Sequence, residues 1–146
     1  GYWHNPGATS QVTTPAGFHR NGDVGVLDPD GDLTIVDRLT DMIVSGGENV
    51  YPSEVEAVLA GHPAVADVAV IGIPDPRWGE TVHAVVVARP GLETGELLGW
   101  ARGRLAGFKC PTSVTVAGEL PRNATGKVLR SVLREPHWAG HDRRVS

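Results

Sequence analysis

Apolar positions follow no single period along this chain, and the changes of period mark its elements. Residues 1–18 are rich in Gly, Thr, Asn and Pro without a steady hydrophobic repeat, and read as loop. Residues 24–27 and 33–36 are short apolar runs flanking Asp28-Pro29-Asp30-Gly31-Asp32, a β-hairpin written in turn residues. Residues 42–44 predict a strand running into the glycine loop Ser45-Gly46-Gly47-Glu48-Asn49. Pro52 suits the first position of a helix, where its missing N–H costs nothing. Ser53 and Glu56 have capping-box spacing and compete with Pro52 to define the start. Val55, Val58 and Leu59 then recur at helical spacing until Gly61-His62-Pro63.

Residues 65–73 and 81–88 are dense in Val, Ile and Ala, as buried strands are. Between them Pro74-Asp75-Pro76-Arg77-Trp78-Gly79 reads as a turn-rich loop. Leu97, Leu98, Ala101 and Leu105 line one face of a second helix, residues 113–117 form a short strand, and residues 127–134 a short basic helix. From residue 42 the order β-α-β-β-α-β-α predicts an α+β fold, a small mixed sheet flanked by helices and preceded by the β-hairpin. There is no internal repeat and no low-complexity tract.

A length of 146 residues with 40% hydrophobic and 21% charged residues fits one ordinary domain, or one with a short appendage. A net charge of −4 argues against nucleic acid or an anionic membrane surface as the main partner. The lone Cys110 excludes a disulfide framework. No apolar run approaches the roughly 18 residues of a membrane span, and no secretory leader opens the chain, so the expected location is cytoplasmic. The chain begins at Gly1 and its one methionine is Met42, which reads as a cloned piece, a processed product or a partial sequence. Eleven Arg stand against two Lys, Lys109 and Lys127, a compositional bias without functional content.

Several clusters invite chemistry. Asp28, Asp30 and Asp32 do not fit a calcium loop, which needs Gly at its sixth and Glu at its twelfth position; here Gly31 sits at the fourth and Leu39 at the twelfth. His137 and His141 have the spacing of two zinc ligands on a helix. No Glu follows His137, and Gly140 weakens a helix, so the arginine-rich tail reads as a frayed terminus and no metal site is expected. Cys110, between Lys109 and Pro111, could carry a lowered pKa but has no partner identifiable from sequence, and reads as a packing residue. Gly46-Gly47 permit positive φ and close backbone approach to a ligand; a plain turn is the alternative. Neither a Walker-type loop nor Gly-x-Gly-x-x-Gly occurs. Lys127 closes the polar loop that begins at Leu120-Pro121, near the start of a short helix. An ammonium there, with free backbone N–H groups close by, suits a phosphate or carboxylate; a solvated surface lysine is the alternative.

Gly22-Asp23 before the hairpin, Asp37-Arg38 after it, the run from Ser45 through Glu56, and Pro121 through Arg130 occur in one order. That order resembles the C-terminal part of the adenylate-forming superfamily of acyl-CoA synthetases, luciferases and peptide-synthetase adenylation domains. Residues 46–56 look most like the acyl- and aryl-CoA ligase branch, and the resemblance covers essentially the whole chain. It implies a two-step reaction. A carboxylate attacks the α-phosphate of Mg·ATP to give an acyl-adenylate and pyrophosphate, and the thiol of coenzyme A then displaces AMP. It also implies that residues 1–39 end a large AMP-binding domain and that residues 40–146 are a small lid domain presenting a different face for each step.

By the same resemblance Asp23 binds the ribose hydroxyls, Arg38 and Asn49 contact the nucleotide, and Lys127 enters the site for adenylation. Gly46, Gly47 and Glu48 belong to the face presented for thioester formation, and Thr40 stands at the pivot. The family usually has Asp or Lys where this chain has Thr40, and Thr where it has Asn21. Its phosphate loop, its adenine and acyl pockets and its magnesium-holding glutamate lie upstream of anything present here. The chain is therefore expected not to adenylate a substrate alone, and its partner is the large domain, in cis or in trans. A stand-alone module binding nucleotide or CoA, or complementing a separate large domain, is the alternative, with a truncated remnant the third. The acid substrate is not legible.

Overall fold

The structure, a computed structural model, describes residues 1–141, in two units: Gly1–Leu39 and the part from Thr40 onward. The arginine-rich end of the tail, residues 142–146, lies outside the described residues. In the first unit a short helix, α1 (Pro6–Val12), occupies the stretch expected to be loop. Asn5 caps it, its Oδ1 accepting from the Ala8 N–H at 2.9 Å, and Pro6 takes the first helical position. None of its residues is buried, so no hydrophobic period announces it.

The expected hairpin is present as antiparallel strands β1 (Asp23–Leu27) and β2 (Leu33–Arg38). Asp28 Oδ1 accepts the N–H groups of Asp30 and Asp32 at 3.0 and 2.8 Å, and Gly31 takes φ 90°. The aspartate cluster is therefore turn chemistry.

The second unit opens with β3 (Ile43–Ser45) and β4 (Glu48–Val50), followed by helix α2 (Pro52–Ala60). β4 corrects the sequence reading, in which Glu48 and Asn49 were loop. Helix α2 starts where Pro52 predicts, but its N-cap is Tyr51 and no side chain caps it. Instead of closing a capping box, Glu56 turns to Arg130 and to the Val70 N–H.

Strands β5 (Val65–Asp75) and β6 (Gly79–Ala88) pair antiparallel through Asp75↔Gly79, so Pro74, Asp75 and Gly79 of the supposed loop are strand and Pro76-Arg77-Trp78 alone is the turn. Helix α3 (Thr94–Arg102) and strand β7 (Ser113–Ala117) follow, and β7 pairs parallel with β6. Helix α4 (Arg130–Trp138) starts three residues later than expected and continues through His137, which is therefore helical rather than frayed.

The result is a mixed five-stranded sheet with helices on both faces, the expected α+β architecture. β6 has β5 along one edge; along the other it meets β3 at Gly79 and β7 from His83 onward. Its near-continuous apolar run reflects burial on both sides. Val82, Ala84 and Val86 pack with Val55 and Leu59 of α2 and Leu97 and Ala101 of α3. On the opposite face Ala69, Ile71 and Val85 pack with Leu120, Val128 and Leu133.

Candidate functional site

Glycine geometry builds the first candidate region. Ser45 pairs with Glu48, which leaves Gly46-Gly47 as a two-residue turn, with φ 61° and 90°. Both values lie in the left-handed region that a type I′ hairpin turn requires. The turn rests on Trp78: the Gly46 N–H donates to the Trp78 carbonyl at 2.9 Å, and a Cβ on Gly46 would sit 2.8 Å from Cε3 of the indole. Behind it the buried Glu80 accepts the Val44 N–H at 2.9 Å. Gly72 leaves room for that carboxylate, since a Cβ there would lie 2.8 Å from Oε2.

Glu48 and Asn49 are exposed on β4. A cleft of about 990 Å³ opens nearby, lined by Val44, Asp75, Arg77, Trp78, His137 and Trp138 among others. The Arg77 guanidinium lies 4.4 Å from the Trp78 ring centroid, a cation–π contact.

Lys127 sits on a second built turn. Asn123 Oδ1 accepts from the Thr125 N–H (3.0 Å), the Thr125 hydroxyl (2.8 Å) and the Lys127 N–H (2.9 Å). Gly126 takes φ 83°, and the Asn123 N–H donates to the Lys127 carbonyl at 2.9 Å. Arg122 clamps the turn from outside, donating to the Gly126 carbonyl and to Asp67 of β5. The backbone of Lys127 is thus fixed while its side chain is exposed. The two lysines differ in kind. Lys109 is bound to both carboxylate oxygens of Glu54 at 2.7 and 2.8 Å, whereas among the described residues no carboxylate pairs with Lys127.

The two turns lie at opposite ends of the β5–β6 ribbon. Lys127's turn is clamped to Asp67, near the start of β5; the glycine turn meets Gly79, across from Asp75 at its end. Eight residue steps along β5 separate Asp67 from Asp75, about 26 Å of rise. The fold places the residues 46–49 and Lys127 on one unit without bringing them together.

In the first unit Asp23 and Arg38 face each other across the hairpin, with Arg38 Nε 3.6 Å from Asp23 Oδ1. The Asp23 N–H donates to Asn21 Oδ1 at 3.1 Å. Thr40 is exposed and is the first residue of the second unit. Cys110 is buried, and burial pushes its thiol pKa up, as fits a packing residue. Among the described residues no group of three or more His, Cys, Asp or Glu side chains is arranged to hold a metal ion.

Sequence reasoning missed Trp78, Asn123, and the Asp67–Arg122 clamp. The Asn-x-Thr-Gly-Lys wording is a signal for the Asn123 turn, since Asn side chains hydrogen-bond the backbone a few residues on. Trp78 and Asp67 act across 32 and 55 residues of chain, and local patterns do not carry such contacts.

The family model for the AMP-binding enzyme C-terminal domain matches residues 54–127. A feruloyl-CoA synthase of Amycolatopsis is 52% identical over 92% of this chain and 28% of its own length. A long-chain-fatty-acid–CoA ligase of Mycobacterium tuberculosis is 48% identical over 94% of this chain and 27% of its own length. Among solved structures, o-succinylbenzoate CoA synthetase from Bacillus subtilis, in complex with an acyl-adenylate intermediate, superimposes with a TM-score of 0.85. It is 43% identical, over 90% of this chain and 27% of that one. The chain spans about 28% of the length of the curated relatives it matches.

Proposed function

Because the chain belongs to the family of AMP-binding enzyme C-terminal domains, we propose that it is the C-terminal part of an ATP-dependent acyl-CoA ligase. The reaction joins a carboxylate to CoA through an acyl-adenylate, releasing pyrophosphate and then AMP. In this reading residues 1–39 complete a large AMP-binding domain, and residues 40–146 are the lid hinged at Thr40. The work in this reading is cytoplasmic, as expected of an enzyme that draws on ATP and CoA. Among the described residues no helix is long and apolar enough to cross a membrane. The relatives' names point to a fatty or aromatic acid as substrate.

The observation that carries the reading is Lys127: an exposed ammonium, paired with no carboxylate among the described residues, on a turn that three hydrogen bonds to Asn123 Oδ1 have already ordered. Such a group stabilises charge developing between the attacking carboxylate and the α-phosphate without reorganising at the moment of reaction. Magnesium enters with ATP, as part of the substrate. Asp23 accepts from the ribose hydroxyls, and Arg38, released from its long contact to Asp23, reaches the nucleotide together with Asn49.

Thioester formation needs a different surface, because a lysine ammonium left in place would crowd the incoming thiol. The Gly46-Gly47 turn, with Glu48 beside it, offers backbone that a pantetheine arm can pass closely. The neighbouring cleft, with its tryptophan faces and Arg77, has the chemistry for the purine and phosphates of CoA. Separation of the two turns along β5 supports one lid serving two steps by presenting one end, then the other.

The test joins this chain to the large domain of the Mycobacterium tuberculosis relative and assays the half-reactions separately. Lys127→Ala is expected to slow adenylation by roughly hundreds-fold, about 3–4 kcal/mol of transition-state stabilisation, while thioester formation from a preformed adenylate is spared. Equal loss in both half-reactions would remove Lys127 from the role.

A further inference from the structure

Two arginines on α4 converge on one carboxylate at the start of the second unit. Arg130 Nη1 lies 3.4 Å from Asp41 Oδ2, and Arg134 Nη1 lies 3.0 Å from Asp41 Oδ1. Arg130 also grips Glu56 of α2, donating from Nη2 to both carboxylate oxygens at 2.9 and 2.8 Å and from Nε to Oε1 at 3.2 Å. Glu56 Oε1 in turn accepts the Val70 N–H of β5 at 2.8 Å. Arg134 reaches the Thr40 carbonyl at 3.4 Å. These four side chains are only 14–21% exposed, and their charges cancel. The network joins residues 40–41, α2, β5 and α4.

Stability alone is a weak reason for such a cluster, because desolvation offsets much of the Coulombic gain of partly buried ion pairs. Geometry is a stronger one. Helix α4 has no fully buried residue and no side-chain N-cap; Leu133 packs against the sheet, but one apolar contact leaves the helix free to rotate about it. Forked guanidinium–carboxylate contacts fix angle as well as distance. Arg130 stands three residues after Lys127, and the intervening chain is held by the Leu129 N–H bond to the Pro121 carbonyl at 2.8 Å. Whatever orients Arg130 therefore orients the lysine turn.

We propose that Asp41 and Glu56, through Arg130 and Arg134, are positioning residues for Lys127: they tie the lysine turn to the first residues of the lid and to the helix following the Gly46-Gly47 hairpin, so that both faces move as one body. The catalytic consequence rests on Lys127 being the adenylation lysine; the mechanical claim does not.

The first test is amide hydrogen exchange on the 146-residue chain, comparing wild type with Asp41→Asn and Arg130→Met. Exchange at residues 122–130 is expected to quicken about ten-fold or more, with β6 amides unchanged. Unchanged exchange at 122–130, or acceleration spread evenly into β6, overturns the proposal. Asp41→Asn preserves shape and serves where Arg130→Met does not fold. In the joined protein, Asp41→Asn is expected to lower kcat for adenylation about ten-fold while leaving thioester formation and the KM for ATP nearly unchanged; equal loss in both half-reactions overturns it. If Lys127→Ala leaves adenylation intact, the functional reading falls, and the exchange pattern decides the clamp independently.

Discussion

His83 shows how far a single buried side chain can set the pH response of the domain. It lies on β6 with 4% of its surface exposed, its Nδ1 2.7 Å from Ser113 Oγ and its ring centroid 5.0 Å from that of His137. Its Nε2 has no hydrogen-bond partner among the described residues. Burial first, and then the His137 charge, lower its pKa to about 4. An unfolded histidine titrates near 6.5, so between those values the unfolded chain binds a proton that the folded chain refuses. The stabilisation is complete above about pH 6.5 and is lost as pH falls towards 4, by up to about 3 kcal/mol. Urea unfolding at several pH values should show a shallower acid slope in His83→Gln than in wild type; identical slopes would contradict this origin.

The glycine turn gives a second prediction at the same scale. Gly46→Ala meets both an unfavourable φ and the Trp78 ring, whereas Gly47→Ala meets only the φ, with nothing within 4 Å of its Cβ. Each loses about 1 kcal/mol for the backbone, and Gly46→Ala is expected to lose clearly more, as read from urea midpoints. Equal losses would show that Trp78 yields without resistance. That the dipeptide permits positive φ was legible in the sequence, but its packing against Trp78, 32 residues away, was not.

At the scale of elements, legibility followed burial. β6 announced itself because both its faces are covered, and α2 because Val55 and Leu59 are fully buried at helical spacing. Leu59→Ala should therefore lose about 2–5 kcal/mol of unfolding free energy, and a loss below about 1 kcal/mol would mean that α2 collapses onto the sheet unaided. Elements without a buried stripe were missed or, for α4, predicted with shifted bounds. Helix α1 is held by a cap and has no buried residue; β4 is three residues long; α4 is oriented by its arginines and by Trp138, whose indole N–H donates to the Gly72 carbonyl at 2.9 Å. In α2 the Ser53–Glu56 spacing matched a capping box, yet Glu56 was drawn into the Arg130 network, a contact 74 residues away in sequence. Tertiary electrostatics took a side chain that local pattern had assigned elsewhere.

For the molecule as a whole, the most informative sequence feature was the order of several motifs, each weak by itself. Gly46-Gly47 alone is a turn, and Lys127 alone is a surface lysine. What the structure adds is that these two turns occupy opposite ends of one β ribbon within a unit that begins at Thr40. The acid substrate was not legible, because no motif along the 146 residues is specific to one class of acid. The proposal is that this chain supplies a catalytic lid to a pocket built elsewhere. It is tested most directly by ATP–pyrophosphate exchange with fatty and aromatic acids, using the 146-residue chain alone and the same chain joined to the Mycobacterium tuberculosis large domain. No exchange is expected from the chain alone, and acid-dependent exchange is expected from the joined protein. Exchange by the isolated chain, or its absence from a joined protein that still forms thioester from a preformed adenylate, would contradict it.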